Sequence, residues 1–375
     1  MNSLKSLAHA AHQSLVAYTP KRSHVYELLA ASCGFKSYAA LTATHLLYSG
    51  AYRSRHTRTT AMAAVQKRGR ELGYLNPVPL SEVLVDFLDE HEIGCVALST
   101  LIEAVEPDAE YSEGDDEEGD DEEGADGFLA EPALLISQLQ QWAQDDLADA
   151  HYALALIYLA LATDEESSGS EHWWRQGQQG VVLSQVQQEW ADAYAEQRGH
   201  ASRSHAHLQQ AVRLGHGPAR LMLAEQNGDA AIFDESIGRT NFSPRRMAAL
   251  AEQLGRSEEA DRWRSRAAAA GDVEIMRELL EDEAGTLEQR WVWVYLGELM
   301  GSDLLASQHR AIHEDGRDYD DDVGGPIVVT GREALSLPPL PDDLDRVARA
   351  ESRRLFALVS VAAGEGEGSD SGSDV

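Results

Sequence analysis

The stretch Glu259–Leu280, EADRWRSRAAAAGDVEIMRELL, decides how the chain is read. Ala260, Trp263, Ala267 and Ala268 recur at helical steps up to Gly271, and Ile275 and Leu279 resume the pattern beyond it. Apolar residues at that period line one face of an α-helix, and a glycine between two such runs marks a helix end. The stretch therefore predicts one amphipathic helix ending at Gly271 and another starting at Asp272. Its alanines add that the two helices pack closely, because facing helices approach only where the side chains between them are short. The spacing returns upstream in Ala211, Val212, Gly215, Ala219 and Leu223, with His207 where Trp263 stands. Earlier still, ADAHYALALIY places Ala148, Ala150, Tyr152, Leu154 and Tyr158 on a first helix.

The order Ala260, Trp263, Arg266, Ala267, Ala268, Gly271 and Leu279 resembles the Sel-one-like repeat, a short relative of the tetratricopeptide repeat. Ile275 stands where that family has alanine. The resemblance covers residues 140 to 310 and is most specific from 260 to 279. It implies an all-α fold whose main body is a degenerate α-solenoid. Such units bury their cores only by stacking on neighbours, so at least three are expected. The anchors Ala150, Ala219 and Ile275 lie 69 and 56 residues apart. The first gap suits two units. The second suits two short units, or one with an insertion at Gly228 to Ser243. Members of the family resemble adaptors that hold partner proteins along a curved helical surface. The resemblance thus implies a non-enzymatic protein-interaction scaffold, with the partner unidentified.

A chain of 375 residues, 43% of them hydrophobic, can bury a sizeable core. Leucine and alanine abound and strand-like runs are few. One strand pair is expected, Ile327 to Val329 with Ala334 to Leu337 around Gly331. No apolar run is long enough to span a membrane, and the first 18 residues lack the continuous apolar core of a secretion signal. Cys33 and Cys95 are the only cysteines, too few for a disulfide framework. The expected location is the cytoplasm. Five segments follow: a basic helical module (1–105), an acidic disordered connector (106–127), the repeats (128–313), an Asp-rich loop with a hairpin and terminal helix (314–362), and a flexible acidic tail (363–375). HVYELLAASCGFKSYAAL, in the first segment, is similar to a short helical module at the front of various proteobacterial proteins. His24, Tyr26, Glu27, Gly34, Phe35 and Tyr38 carry that similarity, which implies no activity.

Charge divides the chain sharply. Residues 1 to 75 hold ten basic and two acidic residues, whereas the whole protein carries a net charge of −33. Between Glu113 and Asp126, ten of fourteen residues are acidic, too self-repelling and too polar to order. Arg53, Arg55, Arg58, Lys67, Arg68 and Arg70 form a candidate polyanion-binding set, since clustered cations neutralise phosphates. Its alternatives are a solvated basic face, a face docked on the acidic body, and a protein-binding face. A nucleic-acid-associated regulator is therefore the alternative function.

Catalytic and metal-binding patterns are not legible. Asp318, Asp320, Asp322 and Gly324 alternate as in a cation loop, but an EF-hand counted from Asp318 would need Gly and Glu where Val323 and Val329 stand. His200, His205, His207 and His216 crowd one segment, yet His205 and His207 are two residues apart and diverge on a helix. No nucleophile elbow or phosphate-cradling glycine loop is present. The reading is of no enzyme and no cofactor.

Overall fold

A computed structural model describes residues 3–50, 57–106, 125–163, 169–235, 242–313 and 327–367, and every count or absence below refers to them. The chain is mostly helical, with eighteen α-helices and two small antiparallel sheets. It divides into two compact units, Met1–Leu223 and Ala224–Val375. The first holds α1 (Leu4–Ser14), α2 (Arg22–Ser32), α3 (Tyr38–Thr44), β1 (His45–Ser49), α4 (Arg58–Glu71), α5 (Pro77–Glu90), β2 (Ile93–Ala97) and α6 (Leu98–Val105). It continues with α7 (Ala125–Leu129), α8 (Ala133–Gln144), α9 (Ala148–Thr163), α10 (Glu171–Gln178) and the long α11 (Gln185–Arg213). The division falls inside α12 (Gly217–Asn227). The second unit has α13 (Ile232–Glu235), α14 (Pro244–Gln253), α15 (Ser257–Ala269), α16 (Val273–Glu281), α17 (Leu287–Leu299), β3 (Gln308–His313), β4 (Ile327–Arg332) and α18 (Asp342–Glu367).

The deciding stretch folds as its pattern predicts, into α15 and α16 on either side of Gly271. Asp272 N–H donates to Ala267 O at 3.1 Å and Gly271 N–H to Ala268 O at 3.1 Å, closing the end of α15. Gly271 has a φ of 103°, which side chains other than glycine's resist. The Asp272 carboxylate then caps α16, accepting from Ile275 N–H at 3.0 Å.

Two strand expectations are corrected. The first unit is not purely helical: β1 pairs antiparallel with β2, with Leu47 opposite Cys95. The ribbon is buried on both faces. Leu46 and Tyr48 enter a core with Phe128, Leu139 and Tyr152, while Leu47 enters another with Leu7, Leu28, Leu84 and Leu134. On the edge away from β2, the buried Gln138 amide donates to Leu47 O at 2.7 Å, and its carbonyl accepts from Leu47 N–H at 3.1 Å. In consequence α8 shares its core with the front helices, and the compact division falls at Leu223.

The second correction concerns the hairpin. The segment at Ile327 pairs with β3 upstream of it, Ile327 opposite His313, and not with Ala334 to Leu337. Gly331 lies within β4 opposite His309, where a Cβ would stand 1.9 Å from Gln308 O. The glycine marks a close backbone approach, not a turn. Leu335 and Leu337 instead pack against the core of the second unit.

One buried charge organises that unit. Arg277, on α16, is 1% exposed. Its Nε donates to Glu281 Oε1 at 2.8 Å, one Nη to the carbonyls of Leu304 and Ala306, and the other to Glu333 O. In the same unit, Asp345 accepts from the Tyr295 hydroxyl and from Arg349 Nε, and the Arg349 guanidinium lies 3.9 Å from the Tyr295 ring centre, tying α17 to α18. Burial, then the Asp345 hydrogen bond, pushes the Tyr295 phenol up to about 12.

Two stability outcomes are expected. At Gly271 an added Cβ would meet Val359 Cγ1 at 3.1 Å and Met300 Cε at 3.2 Å. Gly271→Leu therefore combines backbone strain with overpacking and should destabilise the protein by about 1–3 kcal/mol in denaturant titrations, as should overpacking by Ala267→Leu. Arg277→Met leaves the buried Leu304 carbonyl and two part-buried carbonyls without this donor and should cost about 3 kcal/mol, with no rescue by Lys, whose single ammonium cannot span the acceptors. Unchanged unfolding midpoints would contradict both.

Candidate functional site

The repeat-pattern residues are divided between the two units. Ala150, Tyr152 and Leu154 lie buried on α9, with Ala211 on α11 and Ala219 on α12 in the same core and Leu223 packed against it; Gly215 joins those last two helices. Ala260, Trp263, Ala267, Ala268 and Leu279 are buried in the second unit. The Arg266 guanidinium covers the Trp263 ring at 4.4 Å.

The basic set is only partly brought together. Arg53 and Arg55 lie outside the described residues, as do the acidic tract from 107 to 124, Asp318 to Gly324, and residues 368 to 375. Arg58, Lys67, Arg68 and Arg70 all lie on α4. Arg58 is paired with Asp86 and Asp89 of α5, and Arg68 with Glu27 of α2 and with Glu71. Lys67 and Arg70 remain exposed. Half of the described set is thus already bound to carboxylates of its own unit.

Three of the four histidines meet partners that are distant in sequence. His207 faces α9, where its Nδ1 lies 2.9 Å from Nδ1 of His151, so one ring donates to the other. His205 points elsewhere and contacts Gln209. Tyr158 stacks on His207 and His200 at ring-centre distances of 5.9 and 5.8 Å. His216 stacks on Tyr152, accepts from Ala219 N–H at Nδ1, and turns Nε2 toward Asp149 at 3.5 Å. Burial lowers the pKa of His151, His200, His207 and His216, and neighbouring Arg203 or His151 adds to the shift at His200 and His207. Each shift favours the uncharged ring, which a packed seam accommodates. No group of three or more potential metal ligands converges among the described residues.

A concavity lies in the second unit, between α15, the α16–α17 turn, α17 and α18. It has a volume of about 810 Å³. Leu279, Val292, Trp293 and Leu355 make an apolar, largely buried floor, and Ala284, Gly285 and Thr286 line the turn. Thr286 and Gln289 lock that turn in a reciprocal cap at 3.2 and 2.9 Å. The ionisable lining residues are Asp261, Glu288 and Glu351, all acidic. The groove has no nucleophile–base pair; it can hold an apolar group with a cation beside it. Its residues come from four segments, and only Leu279 belongs to the repeat pattern.

No family model, curated protein or solved structure matches the chain. No helix among the described residues is long and apolar enough to cross a membrane.

The histidine seam implies a pH dependence. A base with a lowered folded-state pKa contributes full stability above its unfolded pKa of about 6.5 and loses it as pH falls toward the folded value. Stability should therefore drop as pH falls below about 7, by at most about 1.4 kcal/mol per pH unit for each histidine that takes its proton only on unfolding. His207→Phe keeps an aromatic ring against Tyr158 and should flatten the slope in urea titrations. An unchanged slope would contradict this account.

Proposed function

We propose that the chain is a non-enzymatic protein-interaction scaffold with degenerate Sel-one-like repeats over residues 128–313. The groove over Trp293 is the observation that carries the reading. Its volume and apolar floor suit a side chain from a partner, and its acidic rim favours a segment that carries Lys or Arg beside that side chain. The residues that close the turn are fixed by capping, so the groove is formed before the partner arrives. The solenoid reading adds an extended surface on which such a segment can continue. The nucleic-acid alternative is less favoured, because Arg58 and Arg68 spend their charge on Asp86, Asp89, Glu27 and Glu71.

Ser265 is exposed at the groove, so Ser265→Trp should fill it without disturbing the core. Proteins captured by the full chain should be lost with this variant and with Asp261→Lys/Glu288→Lys, at unchanged thermal unfolding. An identical capture profile for all three proteins would exclude the groove as the site. DNA binding lost in Lys67→Glu/Arg70→Glu would favour the alternative.

A further inference from the structure

Helix α18 packs one face on α17, with Ala348, Ser352 and Leu355 buried, and leaves another uncovered. Leu344, Val347, Leu358 and Val361 are 37%, 52%, 57% and 59% exposed. They account for four of the six large hydrophobic residues exposed in the second unit. Between them sit Glu351 and Arg354, joined in a two-point ion pair at 2.6 and 2.8 Å. The six positions follow one another at steps of three, four, three, four and three residues. That is the seam spacing of a two-helix coiled coil.

The order of residue types along this seam reads the same from either end, apart from the sign of the central charges. Two apolar residues come first, then an acid, then a base, then two apolar residues. A two-fold axis between Ser352 and Arg353 places Leu344 opposite Val361 of a second copy, Val347 opposite Leu358, and Glu351 opposite Arg354. Every apolar side chain then meets an apolar one, and both central carboxylates meet guanidiniums. An in-register parallel pairing would instead set Glu351 against Glu351 and Arg354 against Arg354. The small exposed Ala350 and Ala357 flank the seam on the open side and let the helices approach. We propose that this face is a self-association surface, on which α18 pairs antiparallel with α18 of a second copy of the chain.

The matched charges determine the orientation. The Glu351–Arg354 pair inside each helix becomes a network of four charges shared between two helices, and the apolar ends supply the burial. Leu344 to Val361 spans about 26 Å, the length over which such a seam can interdigitate. Isologous contact of this kind closes on itself and yields a dimer, not a filament. The inference does not rest on the groove having a ligand. Val347 and Glu351 also line the groove, so pairing would bring the second copy to its α18 side.

The test is sedimentation velocity of the full chain over a micromolar concentration series. The unaltered protein should form dimers. Val347→Asp and Leu358→Asp, both at exposed sites, should each weaken association at least about tenfold, since a charge is buried against an apolar residue. Glu351→Arg and Arg354→Glu should each be monomeric, an equimolar mixture of the two should recover dimers, and the double variant Glu351→Arg/Arg354→Glu should dimerise alone. A monomer throughout the series overturns the proposal. So does dimerisation undiminished by Leu358→Asp or Glu351→Arg, either of which would place the interface elsewhere.

Discussion

A guanidinium removed from water must find protein acceptors for its donors, and Arg277 finds them on three separate stretches of chain. Glu281 shares its helix, Leu304 and Ala306 follow α17, and Glu333 follows β4. None of those carbonyls lies in a helix, and the buried one of Leu304 would otherwise need another partner where the core excludes solvent. The desolvation of the charge is a cost that only this convergence offsets. With the chain after α17 and after β4 fixed on α16, Leu304, Leu335 and Leu337 are delivered to the core that α17 and α18 share. The groove and the open face of α18 are consequences of that arrangement.

The first unit depends on a different constraint. A two-stranded ribbon has two unpaired edges, and a buried edge is costly unless its backbone groups are met. Gln138 meets the Leu47 N–H and C=O with one side-chain amide, which permits β1 to lie between two apolar cores. Alternation along β1 then sends Leu46 and Tyr48 to one core and Leu47 to the other. This is why helices that are far apart in the chain fold as one unit. The neutral histidines between α9 and α11 belong to the same economy: a seam of rings stays packed while it stays uncharged.

The two functional readings draw on separate features of one helical body. The groove offers an apolar floor under acidic residues, and the α18 face offers an apolar stripe with balanced charge. A strongly acidic protein attracts basic partners over distances of about a Debye length, near 8 Å at physiological ionic strength. A charge-balanced stripe suits pairing between identical chains, whose like net charge would otherwise hold them apart.

Much of the local architecture was legible in the sequence. The steps from Ala260 to Gly271 and from Asp272 to Leu279 specified α15, its glycine end and α16, because helical period and capping are properties of neighbouring residues. What failed to show was everything that joins distant residues. HLLYS and IGCVA are too short and too far apart to announce each other as strands. Nothing near Gly331 reveals that its partner strand lies upstream. Gln138 reads as one polar residue in a helix, Arg277 as one charge in another, and His207 as one of several histidines, until folding sets Leu47, Leu304 and His151 against them. The groove is assembled from four segments, and only Leu279 lay in the pattern. Local periodicity determined the helices; burial of polar groups, which must be satisfied by whatever the fold brings near, was decided by the tertiary structure alone.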